Sequence, residues 1–198
     1  RSVEDARIVF DTIRGKDRFD ATSFDISNNN KRLTTNNFKI GVPKEYFAEG
    51  IDDAVKKAVE GAIHKYEENG AKVEEISLPH TAYGLAVYYI IMPSEVSANL
   101  ARYDGMRYGL SHGADDLLNA YLKTRKVGFG DEVRRRIMLG THALSSGYYD
   151  AYYLRAQKVR TLIKQDFDKA FSKIDVIMTP ATPTLPFLFG EKTKDPVS

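Results

Sequence analysis

The 198-residue sequence has no cysteine and no tryptophan. Zero cysteine removes disulfide frameworks, thiol nucleophiles and thiolate zinc sites together. No sign of charge dominates, with 29 Lys and Arg against 27 Asp and Glu. The balance by itself is no argument for a polyanionic partner. Long apolar runs are also missing: the longest stretch without a charged side chain, Ile76 to Ser94, is interrupted by Pro79, His80 and Pro93. A bilayer span needs roughly 20 mainly apolar residues, so no membrane segment is expected. Neither a G-x-x-x-x-G-K-[ST] nor a G-x-G-x-x-G phosphate loop occurs. The four histidines, at 64, 80, 112 and 142, never take the i, i+3 or i, i+4 spacing that sets two ligands on one helix face. No metal site is expected, and these side chains read as helix-surface or loop histidines.

What remains is the composition expected of one ordinary soluble domain or a large part of one, since a domain averages roughly 150 residues. The chain opens at Arg1 without an initiator methionine or a signal-peptide segment. It ends soon after Ile174 to Met178, which reads as a buried strand in need of neighbours on both faces. Both ends predict a piece of a longer product.

Ser2 to Asp5 has a capping-box pattern, and Val3, Ala6, Phe10 and Ile13 recur at helical spacing up to Gly15. Residues 2–14 are therefore predicted as an amphipathic helix, followed by an asparagine-rich loop through Asn37. Alternation of Phe38, Ile40 and Val42 predicts a strand that ends at Pro43. Past a turn at Glu49 and Gly50, Val55, Ala58, Val59, Ala62, Ile63 and Tyr66 mark one helix face, Gly70 stops it, and 71–78 reads as a second strand. Strand, crossover helix and strand predict a βαβ unit with parallel strands. Thr81 to Tyr103 begins apolar nearly all round and contains Pro93, which predicts a buried helix kinked or split near Met92. Further helices are predicted at 115–125, 131–144 and 148–171, then a third strand at 175–178 and a proline-stiffened loop from Thr179 to Pro186.

Charge is concentrated locally. From Lys123 to Lys164 ten basic residues stand against Asp131, Glu132 and Asp150. The tyrosine pairs 88 and 89, 148 and 149, and 152 and 153 lie in helical patterns, where packing is favoured over base stacking. Arg134, Arg135 and Arg136 point roughly 100° apart on a helix, so at most one or two share a target. A solvated face accounts for at least one of them, while a fork aimed at a carboxylate or phosphate is the functional alternative.

Five ordered blocks then carry a resemblance: Gly41 to Phe47 (GVPKEYF), Ala98 to Gly105 (ANLARYDG), Gly128 to Gly140 (GFGDEVRRRIMLG), Ser145 to Tyr153 (SSGYYDAYY) and Lys158 to Phe167 (KVRTLIKQDF). Together they resemble the second half of the glutaminase subunits of the aspartyl/glutamyl-tRNA amidotransferases, members of the amidase-signature family. The resemblance implies an α/β fold, part of a mixed β-sheet flanked by helices on both faces, with residues 1–198 forming the C-terminal portion of one amidase domain. It also implies a glutaminase that passes ammonia to a partner, which amidates mischarged Glu-tRNA(Gln) in the cytoplasm. Subunits B and C are the implied partners, with ATP and Mg at the partner subunit, tRNA contacts mainly there, and no cofactor in this chain. The family's nucleophilic Ser, second Ser in a cis peptide and Lys fall upstream of Arg1, so no catalytic residue is expected here and the chain alone is expected to be inactive. Ser145-Ser146-Gly147 echoes the family's Gly/Ser-rich motif, but Leu144 and Tyr148 flank it in place of glycines, and it is rejected as the nucleophile. By position in the match, the resemblance implies that Tyr88 of the stretch Val87 to Ile91 (VYYII) and Arg136 before Ile137 to Gly140 correspond to residues that hold glutamine, the arginine on its α-carboxylate. Another amidase-signature hydrolase, or a non-catalytic module contacting a partner or tRNA through the basic segment, are the alternatives.

Overall fold

The computed structural model describes residues 2–24, 39–47 and 50–191. The chain divides into two compact units, 1–34 and 35–198. In the first, α1 (Val3–Ile13) starts at the predicted capping box: Ser2 Oγ accepts from Asp5 N–H and the Asp5 carboxylate accepts from Ser2 N–H. Its apolar stripe is the one predicted, yet none of its residues is buried. The asparagine-rich stretch, Phe38 and Glu49 lie outside the described residues.

The second unit is built on a three-stranded sheet of β1 (Lys39–Pro43), β2 (Lys72–Ile76) and β3 (Val176–Ile177), in the order β2-β1-β3. Both pairings are parallel, with Ile40 opposite Val73 and Val176. Between β1 and β2 runs α2 (Asp53–Glu68), capped by the Asp52 carboxylate on Ala54 N–H and released at Gly70, which takes φ +92°. The βαβ expectation therefore holds, and the α/β class with it. The antiparallel strands that a mixed sheet requires are not among the described residues. Gly41 leaves room for the core side chains against β1: a Cβ there would lie 2.3 Å from Ile174 Cδ1 and 2.9 Å from Ile76 Cδ1, side-chain ends that would have to shift. Leu78, Ala170 and Ile174 are buried on that side, with Tyr46, Ile76 and Phe167 packed against them.

The third strand departs from its predicted form. Val176 and Ile177 are half-buried, because the described elements do not cover both faces. The predicted span survives in the hydrogen bonds, since Asp175 N–H donates to Lys39 O and Met178 N–H to Gly41 O, both at 3.0 Å.

Two carboxylates tie the turns at the sheet's C-terminal edge. Glu45, in the 3-10 turn Lys44–Phe47, accepts from Ser77 Oγ at 2.5 Å and from Leu78 N–H at 2.9 Å. Burial works to raise its carboxyl, but these donors outweigh burial and hold it below the ordinary value. Asp166 accepts from His80 N–H at 2.9 Å, and its two oxygens lie 3.0 and 3.1 Å from His80 Nδ1. Burial pushes Asp166 up; the His80 backbone and ring, with Lys169, more than offset it, so the carboxyl is depressed. A depressed carboxyl stabilises the fold above the ordinary aspartate pKa of about 4 and loses that contribution as pH falls through its folded value. Asp166→Asn is accordingly expected to cost about 1–3 kcal/mol near neutral pH. Urea titrations should show the gap from wild type closing below about pH 4; a gap independent of pH would refute the ionic account.

The helical layer consists of a 3-10 turn (Pro79–Tyr83), α3 (Gly84–Leu100), α4 (Leu117–Gly128), α5 (Asp131–Ala143) and α6 (Arg155–Phe171). Of the two forms expected for this helix, kinked or split near Met92, the split one is ruled out: α3 runs unbroken through Pro93, and Ser94 Oγ–H donates to Ile90 O at 2.7 Å. Nor is α3 a buried helix. Only Pro93 and Ser94 are buried, because α5 and α6 are its main partners and its other faces stay open. The helix predicted from Tyr148 begins instead with a π-type turn, Asp150–Leu154, in which Leu154 N–H reaches Tyr149 O at 3.0 Å. Among the described residues no helix is long and apolar enough to cross a membrane.

Candidate functional site

α3 and α5 meet backbone to backbone. A Cβ on Gly140 would sit 1.9 Å from Pro93 O and 2.8 Å from Ser94 N, so only glycine permits this approach. Ser97 Oγ and Thr141 Oγ1 are 2.8 Å apart one turn further along α3. On the other side of the contact, Arg136 lies one turn before Gly140, facing Met92 and Tyr88. Its Nη1 lies 3.4 Å from Tyr88 Oη and 3.7 Å from Met92 Sδ. The fold thus brings together the two residues, 48 positions apart, that the family resemblance singles out.

Arg136 also differs from the two arginines before it. Its side chain is 26% exposed, against 47% for Arg134 and 54% for Arg135. Arg134 pairs with Asp131 and Arg135 with Glu132, each three residues back on the helix surface. Arg136 Nε–H donates to Glu132 Oε1 at 2.7 Å. That carboxylate raises the guanidinium above its ordinary value, against the opposing effect of burial and with help from Tyr88. Glu132 is not among the site residues read from the sequence, although Glu at i with Arg at i+4 is a local signal that could have found it.

Tyr88 lines a cleft of about 530 Å³, with Val87, Ile91, Met92 and Glu95 of α3 and Arg160 and Ile163 of α6. It is apolar with a few polar groups, the usual make-up of a small-molecule site. The cleft around Asp166, of about 350 Å³, shares no lining residue with it and is bordered by Glu74, Glu75, Lys169 and Lys173.

The other candidates are structural. Arg125, near the start of the basic segment, donates from Nη1 to Leu100 O and Tyr103 O at 3.0 and 3.1 Å, and its guanidinium lies over the rings of Tyr121 and Phe129. Tyr148 and Tyr152 gather with His142, ring centroids 4.2 to 6.4 Å apart, and Tyr149 stacks near Tyr153 at 5.3 Å. Ser145 Oγ–H donates to His142 O at 2.7 Å, at the end of α5. Among the described residues no group of three or more His, Asp or Glu side chains could hold a metal ion.

A parallel βαβ core with a helical layer, in which Arg136 meets Tyr88 beside a largely apolar cleft, defines an α/β protein. The chain belongs to the amidase family, whose profile matches residues 1–198. It is 58% identical over 203 residues to the A subunit of glutamyl-tRNA(Gln) amidotransferase from Carboxydothermus hydrogenoformans, and 55% identical over 202 residues to the protein of that name from Heliobacterium modesticaldum. All of this chain is matched in both cases, but only 42% of either relative. The chain therefore spans about two fifths of the length of these curated relatives. The crystal structure of the Thermotoga maritima protein of the same name superposes with a TM-score of 0.65 at 35% identity, covering 98% of this chain and 38% of that one. A bacterial aryl acylamidase of the amidase-signature family gives 0.62 at 18% identity, over 94% of this chain and 36% of that one, a likeness of fold alone.

Proposed function

We propose that this chain is the glutamine-holding part of the glutaminase subunit of a tRNA-dependent amidotransferase. One observation carries the reading: Arg136 meets Tyr88, which lines the cleft, and the close Gly140–Pro93 contact sets the two helices side by side. Free glutamine differs from a glutamine side chain in a protein by its α-carboxylate and α-amine. A guanidinium fork reads the carboxylate with two parallel hydrogen bonds. The relatives' shared name supports the assignment, as does identity above 50% across the whole chain.

In this reading the nucleophilic Ser, the second Ser and the Lys lie in the portion of the glutaminase that these 198 residues do not include. Ammonia released from glutamine passes to a partner within a heterotrimer with subunits B and C, in the cytoplasm. There ATP and Mg serve the amidation of Glu-tRNA(Gln).

The test is ammonia release from glutamine. The complete glutaminase with its partners is expected to turn glutamine over, and the 198-residue chain alone is expected to show no release above background. Turnover by the chain alone, lost in Ser146→Ala, would overturn the placement of the catalytic residues.

A further inference from the structure

We infer that Glu132 is a positioning residue, which locks Arg136 so that only its outer Nη1–Nη2 edge is offered to a carboxylate. The inference rests on the reading that Arg136 binds glutamine. A guanidinium has five N–H groups and two forks that match a carboxylate, one formed by Nε and Nη2 and one by Nη1 and Nη2. Arg136 Nε–H is committed to Glu132 Oε1 at 2.7 Å, a full-strength charged bond, so the first fork is closed. The contacts of Nη1 are of another kind: 3.4 Å to a phenol oxygen and 3.7 Å to a thioether, both longer than a strong hydrogen bond. They orient the edge and yield to a better acceptor.

An acidic residue beside an anion site should repel the anion, and here Arg135 offsets that. Glu132 Oε2 accepts from Arg135 while Oε1 accepts from Arg136, so the three side chains form a cluster of net charge +1. An incoming carboxylate meets a net cation whose orientation is fixed. Arg135 stays outside on the solvent side, half exposed, and has no part in holding the ligand.

The cost of losing Glu132 should fall on binding. In the complete glutaminase within its complex, Glu132→Ala is expected to raise KM for glutamine roughly tenfold while leaving kcat within about twofold, because the arginine keeps its charge and loses its orientation. Glu132→Gln keeps an acceptor oxygen for Nε–H and should recover most of the affinity. Combined with Arg136→Lys, Glu132→Ala should add almost nothing, since the two act as a unit. Melting temperature of each variant separates positioning from folding. Unchanged KM in a folded Glu132→Ala variant, or fully additive losses in the double variant, would overturn the role of Glu132 while leaving the glutamine site intact. If Arg136→Lys alone leaves KM unmoved, the glutamine reading itself falls and this inference falls with it.

Discussion

Replacing Gly140 with alanine is expected to destabilise the 35–198 unit by about 3 kcal/mol, the upper end of what overpacking costs. The added Cβ would lie 1.9 Å from Pro93 O, 2.4 Å from Pro93 C and 2.8 Å from Ser94 N. All three are backbone atoms inside α3, so no side chain can rotate away and the two helices must separate. Separation would also stretch the hydrogen bond between Ser97 and Thr141 and draw Arg136 away from Tyr88. One substitution should therefore lower the denaturation midpoint of the chain and, in the complete glutaminase of the proposed reading, raise KM for glutamine. Gly147→Ala is the control, because nothing lies within 4 Å of its added Cβ. Equal midpoints for the two variants would mean that α3 and α5 do not touch at this point.

Arg136→Lys, in the complete glutaminase, is expected to raise KM for glutamine by roughly 10- to 150-fold, equivalent to about 1.5–3 kcal/mol for a hydrogen bond to a charged group. Lysine keeps the charge and loses the planar fork. It also cannot donate to Glu132 through Nε and reach Tyr88 at the same time. The fold should be little disturbed, since the replaced side chain is a quarter exposed and pairs only along its own helix and with α3. Steady-state kinetics at saturating partner subunits measure this. A KM within twofold of wild type would remove Arg136 from the glutamine site.

Much of the fold is legible in the sequence because its signals are local. The Ser2 capping box, the alternation through Ile40 and Val42, and glycine at position 70 each act within a few residues. The structure keeps the corresponding boundaries to within one or two positions. Pro93 shows where a local rule yields. Proline removes one helical hydrogen bond, but a buried contact against Gly140 and the bond from Ser94 to Ile90 hold the backbone helical through it. The π-type turn at 150–154 is equally hidden: the tyrosines there have helical spacing, and only their mutual stacking in three dimensions accompanies the widened turn.

The candidate site is legible in a different way. Tyr88 and Arg136 are named from the family resemblance, and nothing in periodicity joins residues 48 positions apart. The His80–Asp166 pair, separated by 86 positions, and the Glu45 bonds to Ser77 and Leu78 have no sequence signal at all. They depend on where parallel strands deliver their C-terminal ends. Glu132 is the intermediate case, readable from spacing but meaningful only once Arg136 is seen to face α3.

Arg125 changes how the basic segment is to be counted. Its guanidinium takes the place of water at the carbonyl end of α3, where the helix dipole is negative, and two aromatic rings lie beneath it. Arg134, Arg135, Arg136 and Lys164 are similarly matched by carboxylates on their own helices. A polyanion approaching this surface would displace few condensed counterions for the number of cations the sequence contains. At least half of the ten positive charges between Lys123 and Lys164 are thus engaged within the chain, as mortar between and along helices.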